Sequence, residues 1–255
     1  MRVATFNILH GRCPEDDEVH VDRFARAVAA LDADVLALQE VDRNQPRSRN
    51  ADLTSVAAEA MGAPYHRFVA ALSGSPGSTW LAATGEEQPD DAAYGIALLS
   101  RHPLSAWQVI RLPAVPMRVP MRFGRWRPTW VRDEPRVAVA ADVSTPQWDL
   151  TAVTTHLSFV PRWNQRQLRL LMRALSRRRR PMLVTGDLNM DPATAGAVSG
   201  LRHLAAHPTF PADGPREQLD HLLVDGALSV RDSQAVRLPV SDHRALYADL
   251  ADDPA

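Results

Sequence analysis

Apolar and polar positions alternate in "RVATFNIL" (2–9), which predicts a strand at the start of the chain. The period then changes. Val21, Phe24, Val28 and Leu31 recur at helical spacing within 19–34, with Asp22 in the first turn, where a negative charge suits the helix N-terminus. "VLALQEV" (35–41) is an unbroken apolar run, the mark of a strand covered on both faces, and it closes on Gln39 and Glu40. A helix over 53–62 stops at Gly62, and a short strand follows over 65–71. Residues 73–91, rich in Gly, Ser, Pro and acid, read as a loop. Strands are predicted at 94–100 and 106–112, then an irregular Pro- and Arg-rich stretch at 113–133. Strands at 135–143 and 148–157 are joined by a turn at "STPQ". The helix at 164–178 places Leu168, Leu171, Met172 and Leu175 on one face. A strand runs through "PMLVTGDLN", a short helix over 192–200 opens on Pro192, and strands close the chain at 218–224, 227–236 and 243–250. Strands outnumber helices and many are joined as hairpins, without internal repeat or linker. The pattern predicts an α/β fold: a four-layer α/β/β/α sandwich of two packed mixed sheets with helices on the outer faces, one domain over 1–255.

Composition changes this picture little. The chain is 45% hydrophobic over 255 residues, enough for a substantial core, and its net charge of -1 singles out no partner. All 29 basic residues are Arg, which suits phosphate, fits a coding bias equally, and removes Schiff-base and Ser–Lys mechanisms. A single cysteine, Cys13, excludes an intrachain disulfide and a cysteine zinc site. The opening residues lack the pattern of a signal peptide, and no run approaches the ~18 apolar residues of a membrane span, so the expected location is cytoplasmic.

The chemistry sits where the strands end. Asn7, Glu40, His156, Asp187 with Asn189, Asp220 with His221, and the entry "SDH" (Ser241, Asp242, His243) put carboxylate, amide or imidazole groups at six strand ends. If those ends converge, they form one pocket of hard oxygen ligands, imidazoles and an amide. Oxygen ligands without Cys favour Mg²⁺ or Mn²⁺. A carboxylate beside such an ion can orient or deprotonate water, and a histidine held by an Asp can carry positive charge toward an oxyanion. These parts suit direct in-line attack of water on a phosphoester.

"TFNIL", "ALQEVD", "TTHL", "GDLN", "LDHLLV" and "SDHRAL", in this order, resemble the motif set of the endonuclease/exonuclease/phosphatase superfamily, over nearly the whole chain. The resemblance implies Glu40 as principal Mg²⁺ (or Mn²⁺) ligand with Asn7 beside it, and Asp242 at the metal site. It implies Asp187 as the residue that aligns or deprotonates water, and Asn189 as a hydrogen bonder to the phosphoryl group. His243 would contact the phosphate, Asp220 would orient His243, and His156 would be a second phosphate contact. Two points depart from the family pattern: Ile96 stands in "YGIALLSR" where relatives carry Asn, and no carboxylate partner for His156 is legible.

The remaining features have plainer readings. Arg136, at a strand entry, is placed to reach the pocket as an anion partner. His203 and His207, four apart, would share a helix face but lack a third ligand; His10 is an outside candidate for substrate contact, and His221 reads as structural. "RRRR" (177–180) reads as a solvated helix end, and Asp225 and Asp249 as surface carboxylates. Arg118, Arg122, Arg125, Arg127 and Arg132, interleaved with Phe123, Trp126 and Trp130, suit a nucleic-acid strand or a membrane surface, or else a loop with Trp tucked into the core. This segment tilts the expectation toward a nuclease or other phosphodiesterase, acting as a monomer with no protein partner implied. The alternatives are an inositol-phosphate type phosphomonoesterase, a phospholipid head-group phosphodiesterase, and a catalytically silent binding protein. A serine hydrolase lacks its G-x-S-x-G.

Overall fold

The computed structural model describes residues 1–121, 129–146 and 149–251. In chain order the elements are β1 (Arg2–Asn7), α1 (Val21–Leu31), β2 (Val35–Arg43), α2 (Leu53–Met61), β3 (Tyr65–Gly74), β4 (Trp80–Ala82), β5 (Ala93–Ser100), β6 (Leu104–Leu112), β7 (Arg118–Met121), β8 (Thr129–Arg132), β9 (Arg136–Ser144), β10 (Asp149–His156), α3 (Trp163–Ala174), β11 (Met182–Asp187), α4 (Pro192–Ser199), β12 (Arg202–His203), β13 (Asp220–Asp225), β14 (Val230–Val236) and β15 (Ala245–Leu250). One mixed sheet runs β14-β15-β1-β2-β5-β3-β4, the other β12-β13-β11-β10-β9-β6, and β7 pairs with β8 alone.

Period-two alternation sorts each strand between two cores. Ala4, Phe6, Leu36 and Leu38 face α1 and α2, whereas Val3, Val35, Leu98, Val139, Leu150, Leu183, Leu222 and Leu246 meet between the sheets. Val153, Val184 and Leu223 take the other face of the second sheet, under Leu168 and Leu171 of α3 and Ala195 of α4. The four layers are therefore α/β/β/α, as the alternation predicts. Local chemistry sets the helix ends. Asp52 caps α2 by accepting from the Thr54 and Ser55 amides, Gly62 closes it at φ 64°, and Asp191 caps α4.

Three expectations change. Residues 73–91 contain β4, and 113–133 contain the β7–β8 hairpin. Arg122, Phe123, Arg125, Trp126 and Arg127 lie outside the described residues. The helix predicted to 178 ends at Ala174, so the arginines follow it rather than end it; Arg177, Arg179 and Arg180 are exposed, and Arg178 pairs with Asp142 at 2.7 Å, Arg179 with Asp149 and Arg180 with Asp225. Asp225 therefore has a partner, as does Asp249, which holds Arg2 at 2.8 Å. Among the described residues no helix is long and apolar enough to cross a membrane.

Candidate active site

The inter-sheet core ends in polar residues. Thr5 and Asn7 continue the inward row of Val3, Thr154 and His156 that of Leu150, Thr185 and Asp187 that of Leu183, and Asp220 begins the row of Leu222 and Val224. Strand register then aligns them: His156 is paired with Asp187, and Asp187 with Asp220, in one rank across β10, β11 and β13. Gly186 makes this approach feasible, because a Cβ there would lie 1.9 Å from the Thr155 carbonyl oxygen. The sheets are stitched at the same end by Gln39 Nε2 donating to Thr154 Oγ1 (3.1 Å) and Asn7 Nδ2 donating to Asp187 Oδ2 (3.0 Å).

Glu40 arrives differently. Strict alternation would place it on the helix-covered face with Leu36 and Leu38. A bulge between Gln39 and Val41 sets Glu40 at φ 56°, gives the helix-side position to Val41 and turns the carboxylate into the cleft. Burial pushes the Glu40 carboxyl up, against the Asn7 hydrogen bond and the His243 charge, and Asp242 pushes it further. Asp242 and His243 come from the turn before β15, held by Ser241 at φ 73°, whose hydroxyl donates to the Asn7 carbonyl at 2.6 Å.

These residues line one cleft of about 400 Å³, with Glu40, Arg136, His156, Asp187, Asn189, Asp242 and His243 in its walls and Asp220 buried behind His243. His243 Nδ1 donates to Asp220 Oδ2 at 2.8 Å, and its Nε2 lies 3.9 Å from Asp187 Oδ2. Burial alone would lower this imidazole, but Asp220, Asp187 and Asp242 raise it to about 10, so it is an imidazolium at neutral pH. Asp187, pushed up to about 7 by burial against the His243 charge, accepts from Asn7 on Oδ2 and from the Asn189 amide on Oδ1 (3.0 Å). His156 is held far below its ordinary value, first by burial, then by Arg136 and His243. Its partner is Arg136, whose guanidinium lies 3.2 Å from Nδ1. A guanidinium only donates, and so does the Asn189 amide nitrogen that lies 3.3 Å from Nε2, so both ring nitrogens face donors; Nε2 also stands 3.6 Å from Asp187 Oδ2. Asn189, at φ 51°, anchors its amide on the Leu157 carbonyl (3.0 Å) beside His156.

The donor set fits a hard divalent cation. Glu40 and Asp242, both facing the cleft, repel one another, and a cation between them would relieve that repulsion. Asp187, Asp220 and His243 also cluster, with ligand atoms within 4.8 Å, but the His243–Asp220 hydrogen bond already occupies that space. Asn7 stands beside Glu40, as the resemblance implies: its oxygen accepts from the Leu9 amide (3.1 Å) and its Nδ2 bridges Glu40 and Asp187 at 3.0 Å, so in this structure it positions the two carboxylates.

Other candidates lie elsewhere. His203 is in a strand and bonds the Pro192 carbonyl, His207 bonds Ser233, and His221 bonds the Met190 carbonyl from the outer face. His10 is half-buried, lowered to about 4 by burial, Arg47 and Arg12, and is not among the cleft-lining residues. Ile96 packs in the inter-sheet core with Val69, Val137 and Val139, and Tyr94, two residues earlier on the same face, lines the cleft instead. Tyr94, Glu134, Phe159 and the hairpin residues Val131 and Arg132 complete the walls. Sequence reading missed Tyr94, whose signal was an aromatic directly before Gly95 on a buried strand.

The family model described as Endonuclease/Exonuclease/phosphatase family matches residues 4–243. Among solved structures, an endonuclease/exonuclease/phosphatase from Beutenbergia cavernae aligns with TM-score 0.68 and 22% identity, covering 98% of this chain and 71% of its own. A mannosyl-6-phosphatase from Bacteroides thetaiotaomicron aligns with TM-score 0.66 and 16% identity, covering 98% and 99%. Sphingomyelinase C from Streptomyces griseocarneus aligns with TM-score 0.61 and 18% identity, covering 97% and 98%. At these identities the likeness shows the fold. A search of curated protein sequences found no match.

Proposed function

The chain belongs to the endonuclease/exonuclease/phosphatase family, and from that premise we propose that it is a divalent-metal-dependent phosphodiester hydrolase in which water attacks phosphorus in line, without a covalent intermediate. The observation that carries this reading is the rank His156–Asp187–Asp220 with His243 locked on Asp220: a buried carboxylate stands between two imidazoles, 3.6 and 3.9 Å from its Oδ2.

Asp187 takes the proton of the attacking water, its two oxygens held in place by Asn7 and the Asn189 amide. His243 presents its Nε2–H and a full positive charge to the phosphoryl oxygens, and Asp220 keeps that charge in place. His156 brings a neutral imidazole to the facing side, and Arg136 adds charge behind it. Asn189 hydrogen-bonds the phosphoryl group at the same rim. Glu40 and Asp242 would hold Mg²⁺ or Mn²⁺. When bound, the ion neutralises phosphoryl charge and acidifies water. A diester is favoured over a monoester because Glu134 shares the wall with Arg132, which leaves less net positive charge than a dianionic phosphate calls for.

Hydrolysis of bis-p-nitrophenyl phosphate with Mg²⁺ or Mn²⁺ tests the reading. Turnover should vanish with EDTA, return with either ion, and fall about 10³-fold in Asp187→Ala. Absence of turnover with every divalent ion, or full turnover in the variant, overturns it. A panel of oligonucleotides and phospholipids then separates the natural diesters, including the nucleic-acid and membrane-surface partners that the arginine and tryptophan segment suggests.

A further inference from the structure

Beside the catalytic cleft lies a second hollow of about 340 Å³ that shares Arg132 and Glu134 with it. Leu72, Trp80 and Leu81 form one wall, and Ala114, Val115 and Pro116 the other. Single exposed apolar residues are ordinary, but here Leu81, 63% exposed, stands at a concave site joined to reactive groups. Several of the polar atoms that border the hollow are already engaged. Asp133, 3% exposed, accepts from the Val115 amide (2.9 Å) and the Ser158 hydroxyl (2.8 Å), and Glu134 Oε1 accepts from Trp80 Nε1 (3.3 Å). What the hollow presents is therefore hydrocarbon on its two walls, with Arg132 and Glu134 at the side it shares with the cleft.

An aromatic wall connects the two sites. The Trp80 and Tyr94 rings lie 5.7 Å apart, Trp80 in the hollow and Tyr94 in the cleft. The Arg47 guanidinium sits over both, 5.9 and 5.4 Å from their centroids, while Asp42 holds it at 2.8 Å. The wall is thus fixed in place and its cation is already paired. Charge selects the occupant. Glu134 offsets Arg132 and Asp133 is buried on its own partners, so the hollow offers a second phosphate of a polynucleotide no net positive charge, whereas an uncharged group needs none.

We propose that this hollow is the subsite for an uncharged, apolar ester substituent, alkyl or aryl, of the phosphodiester that the neighbouring cleft hydrolyses. The inference rests on the hydrolase reading above, and the two can fail separately. Monoalkyl methylphosphonates are monoanions that mimic a diester and vary in one group. With Mg²⁺ present, calorimetric affinity should rise tenfold or more from the methyl to the butyl ester, since each fully buried methylene is worth about fourfold. In Leu81→Asp and in Pro116→Glu, both on exposed positions, the butyl-to-methyl ratio should fall toward one. A flat series in the unmodified protein, undetectable binding of every member, or a rise that survives in both variants would sink the subsite. A protein that shows the rise yet leaves bis-p-nitrophenyl phosphate intact would sink the hydrolase reading alone.

Discussion

His243 and His156 face the same carboxylate, 3.9 and 3.6 Å from Asp187 Oδ2, the first held as a cation and the second as a neutral ring. Burial pushes both imidazoles down. The difference lies behind the ring: His243 has Asp220 on Nδ1, and His156 has Arg136. One histidine is thereby held as a cation and the other as a neutral imidazole. Residue type alone does not assign a role in this cleft; the partner on the far nitrogen does.

The largest expected effect comes from removing the cation. His243→Ala should lower kcat by about 10³-fold, because charge facing the phosphoryl group is lost. His156→Ala removes a neutral imidazole and should cost about 10²-fold; equal losses in the two variants would contradict the assignment. Arg136→Met tests the neutral side more finely. Without the guanidinium, the His156 imidazole should titrate by NMR nearer its ordinary value of about 6.5, and KM should rise up to about tenfold with kcat less affected. An unmoved His156 titration would mean that burial alone sets it.

The smallest effect concerns stability, and the two histidines should contribute with opposite sign. The folded His243 pKa of about 10 lies above the unfolded value, so between about pH 6.5 and 10 the folded state binds the extra proton. Its contribution is whole below 6.5 and is lost as pH rises through the folded value. The folded His156 pKa lies below the unfolded value, so its contribution is present above about 6.5 and is lost as pH falls. Urea unfolding of metal-free protein across pH 6.5 to 9.5 should show the falling limb, flattened in Asp220→Asn. A limb of unchanged slope in that variant would show that the proton resides elsewhere.

Much of this site was legible because its residues terminate strands whose own alternation is strong. Asn7, His156, Asp187 and Asp220 inherit their direction from Val3, Leu150, Leu183 and Leu222, and a period of two needs no tertiary information to read. Glu40 was placed correctly only by its motif, since alternation points it to the wrong face and the bulge that corrects it leaves no mark in "ALQEV". The arginines at 177–180 were placed on the helix rather than after it, because their ion pairs are not legible until Asp142, Asp149 and Asp225 are brought alongside Arg178, Arg179 and Arg180. His203 and His207 were read at helical spacing, but His203 lies on a two-residue strand.

By itself the amino-acid sequence determined the layers, the order of strands and helices, and the chemical inventory at the strand ends, because burial and periodicity are local properties of the chain. Tertiary structure alone decided that Arg136 stands behind His156 and Asp220 behind His243, that Asn7 turns its N–H toward Glu40, and that an apolar hollow adjoins the cleft. Those facts are contacts between residues from 20 to more than 50 positions apart, and only the packing of the two sheets sets which groups meet.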